Sequence, residues 1–542
     1  MAVTPIAYRY NGRPRWVWLV LVTMLLVLLC VLLATLHSVT AVAPLVDVGY
    51  AKYQGKQNNA ITQWLGIRYA AKPLGKLRFA APQDPAKMAD TQPALQHGPA
   101  CLSTSTSIES GTSEDCLFLD VHAPSKAKAG DKLPVYLFIQ GGGFNANANA
   151  NINGSGLIRA SGMNVIVVNF NYRVGIWGFL ASKEIAANGS INNGLKDQRK
   201  VMEWVQRHIS QFGGDPNHVT LGGVSAGAGS VALHLTAYGG RNDNLFHATA
   251  AESQAFPPLR TVAESQYMYD NLVGRAGCNS TTARSKDTLA CLRGMDTAAL
   301  QNVNTKDPFP SRTRAPIWPY GPVLDNDMVR DYTYSAFDKG AFLKLPAVYG
   351  DVTNEGTFFA PKEAKTVDEM NRFVMDQFSR MSPNQVNQLA KLYPKAEQFP
   401  DTAAYWRSTA NMFGELRYNC PGIYTSSAYA RHNVTSSWNY HWDVLTEANA
   451  KSGYGVTHVS ESPSIFADDK TANAIQGYWQ SFIRSYDPNA HRNSDTPEWE
   501  SWGKSGYERI HFQANGSTME TVPASQKQRC AYVSSIGLSL RQ

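Results

Sequence analysis

The run Gly223-Val224-Ser225-Ala226-Gly227 constrains this chain more than any other stretch. It is entered through the apolar Val219-Thr220-Leu221 and left through Ala228-Gly229-Ser230-Val231-Ala232-Leu233. That order predicts a strand, a very tight turn with a serine at its crest, and a helix. A residue at such a crest takes strained backbone angles, and the positions two to either side have to be small for the chain to turn so sharply. Gly223 and Gly227 meet the demand. The helix then aims its free N–H groups and the positive end of its dipole at any negative charge that develops beside the serine. The pentapeptide alone is a weak signal; the apolar run before it and the helix-compatible residues after it carry the reading.

Flanking elements extend the same pattern. From Pro134 the chain runs Val-Tyr-Leu-Phe-Ile into Gln140-Gly141-Gly142-Gly143-Phe144, a buried strand ending in a glycine loop. Asn164 to Phe170 is a second apolar strand, and runs without polar alternation suit central strands covered on both faces. Leu195, Val201, Met202, Trp204, Val205 and Ile209 share one face of a predicted helix. Gly213-Gly214-Asp215-Pro216 reads as a turn, Leu345 to Asp351 as another short strand, and about 367 to 430 as mixed helical material. Strand and helix alternate, which predicts an α/β fold with a mostly parallel central sheet and helices on both faces. The polar Asn145–Asn151 repeat of Asn and Ala reads as a solvent-facing loop. No linker or internal repeat interrupts the chain, and the chemically interesting residues scatter from 140 to 458. One domain over 44–542 is the simplest account.

Composition narrows the setting. Hydrophobic residues make up 43% and charged residues 17% of the chain, enough apolar material for a large core. The net charge of +7 is mild, and no basic run interleaves with aromatics, so no nucleic-acid partner is expected. Residues 1–43 are set apart by the uncharged stretch Trp16–Leu36, which follows Arg13 and Arg15. The stretch reads as an export element, either a signal peptide cut near Ala41 or a membrane tether, and both place the remainder outside the cytoplasm. Of seven cysteines, Cys30 lies in that stretch and six remain, which points to three disulfides. Cys101 with Cys116 and Cys278 with Cys291 would close short loops, leaving Cys420 for Cys530; the connectivity is open at this point. No pair has metal-site spacing, so no metal is expected. Sequons at Asn153, Asn188, Asn279, Asn433 and Asn515 offer glycosylation sites to an exported chain.

A serine hydroxyl becomes a useful nucleophile only when a histidine takes its proton and a carboxylate holds the imidazole. Five histidines follow residue 350, and His458, within the glycine-flanked Tyr454-Gly455-Val456-Thr457-His458, stands out. Glu355 and Asp351 both lie at the end of the same predicted strand, and the residues alone do not choose between them. The oxyanion formed on ester attack needs N–H donors already in place. Gly142 and Gly143 can supply them with the amide of Ala226.

With these residues in view, the chain resembles the type B carboxylesterases and lipases, the cholinesterase-like branch of the α/β-hydrolases, over nearly all of 50–505. The resemblance is carried by Tyr53-Gln54-Gly55, Leu65-Gly66-Ile67-Arg68-Tyr69-Ala70, Leu77-Arg78-Phe79, Glu114-Asp115-Cys116-Leu117, Asn171-Tyr172-Arg173-Val174-Gly175, Phe212-Gly213-Gly214-Asp215-Pro216 and Gly223 through Ala228. It implies an α/β-hydrolase fold with Ser225 as nucleophile, Glu355 rather than Asp351 as the acid, and His458 as the base. It also implies Gly142, Gly143 and Ala226 as oxyanion donors, the three disulfides paired as above, and no cofactor. Two departures narrow the substrate. Cholinesterases carry a glutamate before the nucleophile and a tryptophan in the first disulfide loop, whereas this chain has Val224 and no aromatic residue between Cys101 and Cys116, so an aromatic cation site is not expected. The family's lipases fold a long apolar lid in that loop, which here is mostly Ser, Thr, Glu and Gly. Gln140 stands where an aromatic residue or histidine often precedes the glycines, without bearing on the backbone donors. The expectation is a serine esterase working through an acyl-enzyme on small to medium carboxylic esters. An interfacial lipase, or a catalytically silent adhesion module of the same fold, is the alternative.

Overall fold

In the computed structural model, which describes residues 44–147, 151–279, 287–468 and 473–542, apart from the side chains of 504 and 505, one large sheet organises the chain. Among the described residues it has eleven strands. In chain order they are β1 (Lys56–Asn58), β2 (Ile61–Arg68), β3 (Phe118–Pro124), β4 (Leu133–Ile139), β5 (Ile166–Phe170), β6 (Gly214–Val224), β7 (Ala248–Glu252), β8 (Ala347–Val352), β9 (Ser437–Asp443), β10 (Glu508–Gln513) and β11 (Gly516–Thr521). Across the sheet they run β11-β10-β9-β8-β7-β6-β4-β5-β3-β2-β1. From β10 to β5 every pairing is parallel, while both margins are antiparallel. The fold is therefore the expected α/β-hydrolase arrangement, its central strands mostly apolar and buried, apart from the partly exposed start of β4, because helices cover both faces.

The helices that matter for function are α1 (Asn193–His208), α2 (Ala226–Thr236), α3 (Trp406–Gly414), α4 (Cys420–Arg431) and α5 (Ala474–Ser485). Two large apolar clusters lie against the sheet. The first includes Leu137, Ile139, Leu221, Val231 and the α1 residues Val201 and Val205; the second includes Tyr136, Phe138, Val224, Tyr440 and the α5 residues Trp479 and Ile483. Tyr136 and Phe138 alternate with Leu137 and Ile139 between these clusters, as the two-residue period of a strand requires.

The observed strands and helix lie within a residue or two of the expected bounds, with one difference. β6 begins at Gly214, so the expected turn at 213–216 is already paired to β4, through a register shift between Gly214 and Val219. Gly213, at φ 92°, makes the turn itself. The disulfides Cys101–Cys116, Cys278–Cys291 and Cys420–Cys530 are all formed. Residues 1–43, with the apolar stretch and Cys30, and residues 148–150 of the Asn/Ala loop lie outside the described residues. No helix of the described residues is long and apolar enough to cross a membrane.

Candidate active site

β6 runs to Val224 with its neighbours buried on both sides, and the chain then reverses into α2 within one residue. Ser225 is that residue, at φ 57° and ψ −117°, a conformation that side chains rarely take and that costs about 1–3 kcal/mol. The turn is held from both ends. The Ser225 amide donates to the Glu252 carbonyl at the end of β7 (3.0 Å), and the Gly229 amide donates to the Ser225 carbonyl (2.9 Å) as the first helical bond. Close approach explains the glycines. A Cβ on Gly227 would lie 2.0 Å from the Ile139 carbonyl oxygen of β4, and one on Gly223 would lie 2.6 Å from the Gly227 backbone.

Glu355 and His458 arrive at this crest from two turns that are themselves tied together. Asn354 and Thr457 form an isolated parallel bridge, the Asn354 amide donates to the Val456 carbonyl (2.9 Å), and the Val456 amide donates to Asn354 Oδ1 (2.9 Å). His458 Nε2 is hydrogen-bonded to Ser225 Oγ at 2.8 Å, and His458 Nδ1 is hydrogen-bonded to Glu355 Oε2. The Val352 amide donates to Glu355 Oε1 at 2.9 Å, which fixes the carboxylate from behind. All three side chains are buried. Asp351 points elsewhere: a Cβ on Gly422 of α4 would lie 2.2 Å from its Oδ2.

The glycine loop follows β4. The amides of Gly142 and Gly143 donate to no acceptor among the described residues, and Ala226 is the first residue of α2. Gly143 has φ 62°, and a Cβ there would fall 2.0 Å from the Trp318 indole. The histidine is walled by aromatic rings, Tyr418 at 4.3 Å and Phe359 edge-on at 5.2 Å between centroids.

A set of carboxyl groups surrounds this centre. Burial pushes Glu252 up to about 8, opposed in part by the Ser462 hydroxyl that donates to its Oε2. Asp351 is raised well above the usual carboxylate range by burial and then by the charge of Glu355. Glu461, which accepts from the Tyr440 hydroxyl at 2.8 Å, is raised by burial and by Glu355 and Glu252.

A family model described as the carboxylesterase family matches residues 42–532. The chain belongs to the carboxylesterase family. It is accordingly a carboxylic ester hydrolase of the α/β-hydrolase fold. It is similar to the crystal structure of Aspergillus niger EstA, at 40% identity and a TM-score of 0.89 over 92% of this chain and 99% of that one. It is also similar to secreted lipase 4 of Gibberella zeae, at 30% identity over 82% of each chain, and to fumonisin B1 esterase of Sphingopyxis macrogoltabida, at 31% identity over 82% of each.

This carboxylesterase brings Ser225, Glu355 and His458 together, and all five sequon asparagines are exposed. Sequence reasoning missed Tyr418, Phe359 and Trp318. Tyr418 lies in a π-helical turn, Glu415–Asn419, between α3 and α4. A widened turn of this kind re-aims side chains without leaving a periodic signature, and Pro421 just beyond it was the sole hint. Among the described residues His441, His511 and Glu520 bring three possible metal-ligand atoms within 4.8 Å of one another, and the other such group, Glu415 with Cys420 and Cys530, has its cysteines in a disulfide. Arg509 already donates to Glu520 at 2.7 Å, and a guanidinium there repels a cation.

Proposed function

We propose that Ser225, His458 and Glu355 act as nucleophile, general base and orienting acid in the hydrolysis of small to medium carboxylic esters. The single observation that carries this reading is the hydrogen-bonded line from Ser225 Oγ through the His458 ring to a buried Glu355 carboxylate, with the serine raised on a strained turn. Ser225 Oγ attacks the ester carbonyl carbon and its proton passes to His458 Nε2. The oxyanion is met by the amides of Gly142, Gly143 and Ala226, and each such donor is worth about 3–4 kcal/mol of barrier. As the tetrahedral species collapses, the leaving alcohol takes the proton from His458, and Glu355 holds the ring throughout. Water, deprotonated by His458, attacks the acyl-enzyme; the acid leaves and Ser225 regains its proton. One water is consumed per ester.

The catalytic unit is a single domain over 44–542, because strands from Lys56 to Thr521 build the one sheet that supports all three residues. Three disulfides, five exposed sequons and the secreted naming of a relative favour a site outside the cytoplasm. The loop from Leu102 to Asp115 favours an esterase over an interfacial lipase: Leu102 is buried, and Ile108 is its one exposed large apolar residue.

The test is turnover of 4-nitrophenyl acetate, butyrate and palmitate by the protein and its Ser225→Ala variant. Turnover of the short esters that is lost in the variant supports the assignment. Equal background rates for a folded wild type and the variant would remove it, and a rate jump above the solubility limit of palmitate would favour the lipase reading.

A further inference from the structure

Close to the Ser225 centre lie two arginines, of which only Arg260 feels an acidic side chain, that of Glu264, and that beyond ion-pair distance. Arg260 and Arg417 are both fully buried, and neither forms an ion pair among the described residues. Each has one carbonyl partner: Arg417 Nη1 donates to the Phe256 carbonyl at 3.0 Å, and Arg260 Nη2 donates to the Pro319 carbonyl. The Nε of each is buried without an acceptor. A guanidinium offers five N–H donors, and although Arg417 also hydrogen-bonds the Tyr418 hydroxyl, donors of both guanidinium groups are left over.

Two cations in one water-poor place are costly. Burying an unpaired charge costs several kcal/mol even after relaxation, and a second like charge adds to it. The two arginines are close enough for Arg260 to depress Arg417, on top of the larger effect of burial. Aromatic faces soften this only in part, with Phe309 under Arg260 at 5.1 Å and Trp318 under Arg417 at 5.2 Å. A structural role alone would be served better by neutral side chains of similar size. What the pair provides that neutral residues do not is a fork-shaped donor set for a planar anion.

Both arginines line a cavity of about 20 Å³ with Phe144, Trp318 and Tyr320, and Arg417 and Trp318 also line a second of about 20 Å³. Each admits one water-sized group, the size of a carboxylate oxygen. The place is tied to the reaction centre by two residues. Trp318 closes over Gly143 of the glycine loop and over Arg417, and the Tyr418 hydroxyl is hydrogen-bonded to both Ser225 and Arg417. Arg417 is thus one tyrosine away from the attacking oxygen.

Resting on the esterase reading, we infer that Arg417 and Arg260 form a carboxylate-binding subsite, and that the preferred substrates are esters whose acyl part bears a free carboxylate, hemiesters of dicarboxylic acids. The ester end is attacked at Ser225 while the distal carboxylate is held by the two guanidinium groups, the acyl chain passing beside Trp318.

The experiment compares 4-nitrophenyl hemiesters of glutaric, adipic and pimelic acid with the same compounds methylated at the free carboxylate, which removes the charge at the cost of one methyl group, alongside 4-nitrophenyl butyrate; release of 4-nitrophenol is read throughout. The expected result is a kcat/KM ratio of charged to methylated ester of about tenfold or more for at least one chain length, collapsing toward unity in Arg417→Gln and Arg260→Gln. A ratio at or below unity for all three acids, with butyrate still hydrolysed, overturns the subsite and leaves the esterase intact. Binding is read independently of turnover. Adipate is expected to raise the melting temperature of the Ser225→Ala protein in chloride-free buffer, and dimethyl adipate is not. Equal responses to the two overturn the subsite whether or not any ester is turned over, and need no arginine variant to fold.

Discussion

At the residue scale the sharpest question is which of two neighbouring carboxyls serves the histidine. Glu355 and Asp351 sit four positions apart at one strand end, and nothing in their local sequence separates them. The structure separates them by orientation: Asp351 still belongs to β8 and turns toward Gly422 of α4, whereas the chain folds back after Val352 so that Glu355 meets His458. Glu355→Gln is therefore expected to lower kcat by about 10³–10⁴, because a neutral amide supports the wrong ring tautomer and leaves the imidazolium uncompensated. Asp351→Asn is expected to change kcat by less than about tenfold, as a neutral form is what burial already favours there. Steady-state rates on 4-nitrophenyl butyrate decide it, and a larger loss in Asp351→Asn would reverse the assignment. Ser225 was legible because its strain demands small neighbours that can be read along the chain. The acid was legible only through the family resemblance, because its direction depends on a turn closed by the Asn354–Thr457 bridge, whose two halves lie about a hundred positions apart.

At the element scale, apolar continuity and helical spacing were enough to read β4, β5, β6 and α1. These elements are selected by burial on both sheet faces, which acts on every residue in the run. The π-helical turn Glu415–Asn419 was illegible because one extra residue in a helix changes no composition and breaks no pattern. The contact between α2 and β4 gives a test of how tightly the elbow is made. Gly227→Ala would set a methyl group against a main-chain oxygen at 2.0 Å, and neither strand nor helix can retreat without moving Ser225. A loss of stability of about 3 kcal/mol or more is expected, with activity lost in whatever folds. Gly274→Ala is the control. It lies in the helix Val262–Arg275 with no atom nearer than 3.9 Å to the added carbon, and should gain up to about 1 kcal/mol by helix propensity. Chemical denaturation of the two variants beside wild type checks both signs, and equal effects would mean that the elbow is slack.

At the scale of the whole molecule, the site draws on segments from β4 to the turn at His458, and the acids around it come from three separate strands and turns. Glu252 ends β7, Asp351 lies in β8 and Glu461 follows His458, yet all are buried together near Glu355. Their folded values are raised, Glu252 to about 8, while in the unfolded chain they return to the ordinary range. Above that ordinary range the native state therefore holds more protons than the unfolded state, and stability falls as pH rises. For Glu252 the fall begins near the ordinary glutamate value and is complete once pH exceeds about 8. Urea midpoints measured from about pH 5 to about pH 9 should decline by on the order of a few kcal/mol in stability. Glu252→Gln should flatten that decline between about 5 and 8, since the amide still accepts from Ser462 but has no proton to lose. The flattening is specific to this group: a variant whose slope matched wild type would place the linkage on Asp351 and Glu461 instead. The same arrangement bears on how the esterase works. Burial favours the neutral form of all three neighbours, and each that is neutral removes a like charge from beside Glu355, the carboxylate that faces His458.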